Sequence, residues 1–295
     1  MKTLFRLAAL STLAVATPAC SAEPQTSYSE GAVQTSSPFP DSAWRTVDPE
    51  NLLVIETTQG TVGVELYPEI APLHVAQIKA LARDGFYDDV PFHRVIDGFM
   101  NQTGDGSNGD GTGDSDLPDI PAEFTFRRGA DMDVTLVGAR GDAQQSVATG
   151  FYKALPVASQ PISQAILTQD GKVAAMGLHC PGVTSAARTS DPNSANSQFF
   201  LMRGKAEHLD SQYSIWGSTV MGREFLESFN VGTAGQNPVF EPDRMTRVRI
   251  AADMPEAVRP TVQVLDTGSD AFANWIGTQT YDDICEVEIP TRTVS

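Results

Sequence analysis

Two short apolar runs, Leu52-Leu-Val-Ile-Glu-Thr and Thr61-Val-Gly-Val-Glu-Leu, flank the turn Thr58-Gln59-Gly60 and predict a β-hairpin. The period then changes. Between Pro68 and Arg83 the apolar positions Val75, Ile78, Leu81 and Ala82 recur at helical spacing, Pro72 suits a first turn, and Asp84-Gly85 ends the helix. Phe92, Arg94 and Ile96 alternate with His93 and Val95, as a strand would. Further strands are expected over 182–188, 197–202, 214–220 and 245–251. The spacing of Phe225, Leu226 and Phe229 predicts a second short helix over 222–229. Many strands, few helices and short turns favour a mainly β, closed antiparallel barrel over a doubly wound sheet. Residues 253–295 form an extension, in which Val262–Leu265 and Glu286–Ile289 are candidate strands.

The first 22 residues follow another pattern. Lys2 and Arg6 precede an apolar run, Leu7–Ala16, too short for a permanent membrane span, which is the form of a signal peptide. Cleavage after Ala22 would release a soluble periplasmic protein. Thr17-Pro18-Ala19-Cys20 also resembles a bacterial lipobox, with Thr17 in place of the usual Leu, and processing there would leave Cys20 acylated as a membrane anchor. Both exits stay open, and both export the protein. Residues 23–50, rich in Ser, Pro, Thr and Gln, read as a flexible linker.

Composition narrows the partners. Of 295 residues, 37 are acidic and 20 basic, a formal charge of -17, and removal of residues 1–22 would take two cations and no acid. Such a surface repels phosphate backbones and anionic headgroups, which argues against nucleic-acid binding. Of the three cysteines, Cys20 leaves with the signal or carries lipid. Cys180 and Cys285 are then left in an oxidising compartment, and a disulfide between them is expected to pin the extension onto the barrel.

Candidate chemistry gathers between Pro91 and Asp105. One cation, Arg94, sits in an apolar strand near Phe99 and Met100, followed by Gln102 and a glycine-rich turn. An unpaired buried guanidinium is costly, so such a residue has a partner, lines a pocket, or faces solvent from a half-buried strand. A second stretch, Asn193 to Leu209, carries Ser-Gln-Phe-Phe at 197–200. Taken with Phe-His-Arg-Val-Ile-x-Gly-Phe-Met-x-Gln at 92–102, and in this order, it resembles the cyclophilin family of peptidyl-prolyl isomerases over about Leu52 to Ala252.

The resemblance implies a closed eight-stranded antiparallel barrel capped by two helices, here with an insertion over about 131–171. It implies isomerisation of X–Pro bonds in unfolded or extended polypeptides, with no cofactor, by a chain taken as a monomer. Arg94 is then the catalytic donor, and Gln102 orients the substrate carbonyl and Arg94. Phe99, Met100, Phe200 and Leu209 form the proline slot, the Ala187 backbone and the Gln198 side chain hold the peptide on the N-terminal side of proline, and Arg188, His208 and Tyr213 are further substrate-binding residues. His208 stands where many members have Trp, and Tyr213 where they have His, so cyclosporin is expected to bind weakly. Arg188 replaces an Asn and Ala186 a Met. A peptide-binding module without catalysis is the alternative, though binding alone would not need Arg94. A hydrolase is a remote third reading, for want of a Gly-x-Ser-x-Gly, a paired-His metal motif or a phosphate loop.

No metal is expected. Gly104–Asp116 alternates oxygen ligands with glycines, but no frame supplies a full calcium set closed by Glu at the twelfth position. His179-Cys180 has no second pair at zinc spacing.

Overall fold

The apolar run Leu52–Ile55 is buried at every position, because the strand that carries it is covered on both faces. Leu53 and Ile55 meet Val62, Val64 and Leu66 of the paired strand, the helix residues Val75, Ile78, Leu81 and Ala82, and the rings of Phe199 and Trp216. Leu52 and Val54 belong to a second core. It joins them to Phe151, Leu155 and Val157 of the insertion and to Val262, Val264 and Phe272 of the extension. The protein is seen here as a computed structural model that describes residues 37–141, 147–236 and 240–294. The segment expected to be a signal peptide, Cys20 and the expected linker as far as Ser36 lie outside the described residues.

The central sheet has ten strands. Their order is Gly232–Thr233, Arg94–Ile96, Met100–Thr103, Phe199–Met202, Val183–Ala186, Ile215–Met221, Thr61–Leu66, Leu52–Thr57, Arg244–Ile250 and Val90–Pro91. It is therefore an open ladder, where the sequence led us to expect a closed eight-stranded one. The sheet curls until the end strand Val90–Pro91 and the strand next to the other end, Arg94–Ile96, lie on one continuous run of chain. Across that seam the backbone replaces a ladder. Pro91 has no N–H to donate, Phe92 N donates to Asp243 O at 2.8 Å, and His93 O accepts from Ala234 N at 2.8 Å.

The first helix, Pro72–Asp84, forms where its period predicts and ends on Gly85, whose φ of 74° suits the left-handed cap. Its open N-terminus is closed from a distance: Glu123 accepts from the backbone N–H of Leu73 and His74 at 3.1 and 3.0 Å. The helix expected over 222–229 is instead a 3-10 turn, Arg223–Glu227. The second α-helix lies in the extension at Asp270–Ile276, capped by Ser269, whose hydroxyl accepts from Phe272 N at 3.1 Å.

Two further sheets lie outside the central one. The insertion supplies Val134–Arg140, Val147–Tyr152 and Leu155–Ser159, which with Val173–Gly177 and Phe126–Arg128 make five antiparallel strands. Trp44–Thr46, Thr261–Leu265 and Thr291–Val294 make three. Residues 39–50 are thus not linker. Trp44 pairs with Leu265, its ring meets Phe39 edge-on at 5.8 Å, and Arg45 forms a two-pronged ion pair with the buried Glu65 at 2.6 and 2.7 Å. The strand expected over 286–289 is also displaced. Asp283 caps a 3-10 turn at Ile284–Glu286, Pro290 lacks an N–H, and the strand begins at Thr291.

Candidate active site

Antiparallel register lines up the first functional residues. Arg94 pairs with Gln102, Gln102 with Phe200, and Phe200 with Ser185 across four neighbouring strands. Opposite residues on one face stand within reach of each other, and here they make contact. Arg94 Nη1 donates to Gln102 Oε1 at 3.2 Å, and Gln102 Nε2 donates to Gln198 Oε1 at 3.2 Å. Gln198 Nε2 in turn donates to the carbonyls of Gly111 and Gly113 at 3.1 and 2.8 Å. The guanidinium is held by an amide relay and has no carboxylate partner among the described residues.

A loop wound around Asp105 anchors the far end of that relay. The buried carboxylate accepts from the backbone N–H groups of Ser107, Asn108, Asp110, Gly111 and Gly113 at 2.8 to 3.3 Å. Burial alone would raise its pKa, but the converging donors win and hold it at about 2. Close approach explains the glycines. A Cβ on Gly104 would sit 2.5 Å from Ser197 O, and Gly111 has φ +93° against the His93 ring. Asp105 was not among the residues expected from the sequence. Its signal was an acid at the start of a glycine-rich run, which we weighed as a calcium loop and rejected.

Beside Arg94 lies a cleft of about 140 Å³, lined by Arg94, Phe99, Met100, Gln102, Ala187, Arg188, Phe200, Leu209 and Tyr213. All nine are residues expected from the sequence. Gln198 reaches the cleft through Gln102. The exposed His208 stacks on Phe99 with ring centres 6.0 Å apart. Phe200 and Tyr213 meet edge-on at 5.8 Å. Ala186, by contrast, is packed in the core between the central sheet and the first helix.

Beneath the cleft lies a buried polar group that sequence reading missed. His179 stacks on Phe200 at 6.2 Å. Its N–H and Nδ1 lie 2.8 and 3.0 Å from Asp210 Oδ1, and Nε2 lies 3.2 Å from Ser185 Oγ. Ser185 and His179 are sealed from solvent, so the trio fixes rings and attacks nothing. Burial raises the Asp210 pKa, but hydrogen bonds from His179 and Arg140 bring it below the usual carboxylate range. Arg140 comes from the insertion and spans Asp210 at 2.8 Å and Glu207 at 2.8 Å. Lys205 reaches Asp283 of the extension at 2.6 Å, and Cys180, next to His179, is disulfide-bonded to Cys285. The segment 205–210, which carries His208 and Leu209, is thus gripped from two sides.

The family model described as cyclophilin type peptidyl-prolyl cis-trans isomerase/CLD matches residues 52–250. A probable peptidyl-prolyl cis-trans isomerase of Brucella suis biovar 1 (strain 1330) is 34% identical over 234 residues, covering 76% of this chain and 90% of its own. Its counterpart in Brucella abortus (strain 2308) is 33% identical over the same shares. The crystal structure of a cyclophilin from Hirschia baltica superposes with a TM-score of 0.77 at 38% identity, covering 85% of this chain and 93% of that one. The chain belongs to the cyclophilin-type peptidyl-prolyl cis-trans isomerases, enzymes that interconvert the two forms of the X–Pro bond.

Proposed function

We propose that the cleft beside Arg94 receives the proline ring, and that Arg94 stabilises the twisted amide through which isomerisation passes. Amide resonance sets a barrier of about 18–20 kcal/mol, while cis and trans X–Pro forms differ by only about 1 kcal/mol. No bond to the enzyme and no proton transfer is needed. As the bond twists, the nitrogen becomes pyramidal and basic, and a fixed guanidinium donor binds that form better than the planar one. Phe99, Met100, Phe200 and Leu209 supply the apolar walls, which exclude water and disfavour the charge-separated planar resonance form. Gln102 keeps Arg94 aimed and helps to orient the substrate carbonyl. Ala187 and Gln198 hold the peptide on the N-terminal side of proline.

The single observation that carries this reading is the half-buried, carboxylate-free Arg94 on the wall of a cleft that Phe99, Met100, Phe200 and Leu209 also line. Arg94→Ala should lower kcat/KM in a coupled peptide assay by about 10²–10³, the usual cost of one transition-state donor. Equal rates would overturn it.

We further propose that the protein is exported and speeds the folding of envelope proteins whose X–Pro bonds limit folding. The signal pattern at 1–22 and the Cys180–Cys285 disulfide support an oxidising compartment. Cell fractionation with intact-mass analysis tests both exits: a mature chain that begins at Glu23 and carries no lipid supports a soluble periplasmic form, and one that begins at an acylated Cys20 a membrane-anchored one. A full-length cytoplasmic chain would refute export.

A further inference from the structure

The charges lining the cleft have one sign. Arg94 and Arg188 line it and no carboxylate does, in a chain whose formal charge is -17. Arg188 is fixed by its surroundings. Nε and Nη2 donate to Gln212 O at 3.0 and 2.9 Å, and Nη1 donates to Thr189 O at 2.8 Å. Its guanidinium lies 4.4 Å from the centre of the Tyr213 ring and 5.5 Å from that of Phe124. Carbonyls and rings hold the group in place without cancelling its charge, and no Asp or Glu pairs with it among the described residues.

We propose that Arg188 makes the enzyme select X–Pro segments with an acidic side chain at one of the two positions just before proline. The inference rests on the cleft being the substrate site. Arg188 follows Ala187, the residue assigned above to the N-terminal side of the peptide, and lines the same cleft, so its charge is within reach of the residues just before proline. The cation is already ordered, so an incoming carboxylate does not have to immobilise it. Opposite charges about 6 Å apart at a partly dry surface favour the acidic peptide by roughly three- to tenfold. The acidic exterior opposes this weakly, since exposed charges beyond a Debye length of about 8–10 Å are screened.

The test is a set of short peptides that differ only in Glu, Gln or Lys at the two positions before proline. Their kcat/KM values are measured with wild type and Arg188→Gln at low and high salt, and their affinities by NMR titration. The expected order is Glu over Gln over Lys, with each step about three- to tenfold, compressed by salt and flattened in Arg188→Gln. Three equal peptides in the wild type, or a Glu preference that survives Arg188→Gln, would overturn the proposal. The titrations decide it even if the rates do not depend on Arg94, an outcome that would overturn the catalytic reading alone.

Discussion

Asp105 shows how one carboxylate can organise a site it never enters. Its pKa is held at about 2 against an ordinary 3.8, so it stabilises the fold above about pH 4 and loses that contribution as pH falls through 2. The shift corresponds to about 2 kcal/mol. Asp105→Asn should lower neutral-pH stability by about that amount and flatten the stability profile between pH 4 and 2, which urea titrations at several pH values would measure. It should also lower kcat/KM, because Gln198 depends on the carbonyls of this loop. Unchanged stability at pH 7 would contradict the account. Arg94, Phe99, Met100 and Gln102 were legible because they fall within eleven residues of one strand pair and its turn. Asp105 was not, since a carboxylate that binds backbone N–H groups leaves no side-chain spacing to read.

At the scale of elements, period predicted type well and extent less well. The hairpin over 52–66 and the helix over 72–84 formed as expected because each has a buried stripe of matching period. The segment 222–229 has helical spacing but is confined. Gly222 opens it with φ 68°, and Asp243 fixes its exit by accepting from Asn230 N at 2.7 Å, leaving room only for a 3-10 turn. The segment 205–210 is the element on which the site most depends for its far wall. Arg140→Ala would leave Asp210 with His179 alone and Glu207 with Lys205 alone. It should cost about 1–3 kcal/mol at the buried carboxylate and lower kcat/KM several-fold by raising KM, with recovery in Arg140→Lys. A normal KM would show that the insertion does not position the slot.

For the whole molecule, the question is what covers the outside of the curled sheet. The insertion, the extension and residues 43–47 do so, building a second core that reaches Met100, Phe200 and Leu209 in the cleft. The disulfide closes a 105-residue separation and ties the extension to the strand region beside His179. Cys180→Ser with Cys285→Ser, or reduction of the wild type, should destabilise the protein by about 2–4 kcal/mol in chemical denaturation. An unchanged midpoint would mean that packing alone holds the extension.

The sequence by itself determined the mainly β class, the main helix, the Arg94 motif with its apolar neighbours and the pairing of two cysteines. Each of these depends on residues close in the chain or on a count, so local period and chemical type suffice. Only the tertiary structure decided that the sheet stays open at Pro91, that residues 39–50 pack as part of the fold, and that Arg140 and Asp105 brace the cleft. Those outcomes depend on which distant segments meet, and side chains that pair across seventy residues or more, or that bind backbone groups, carry no periodic mark.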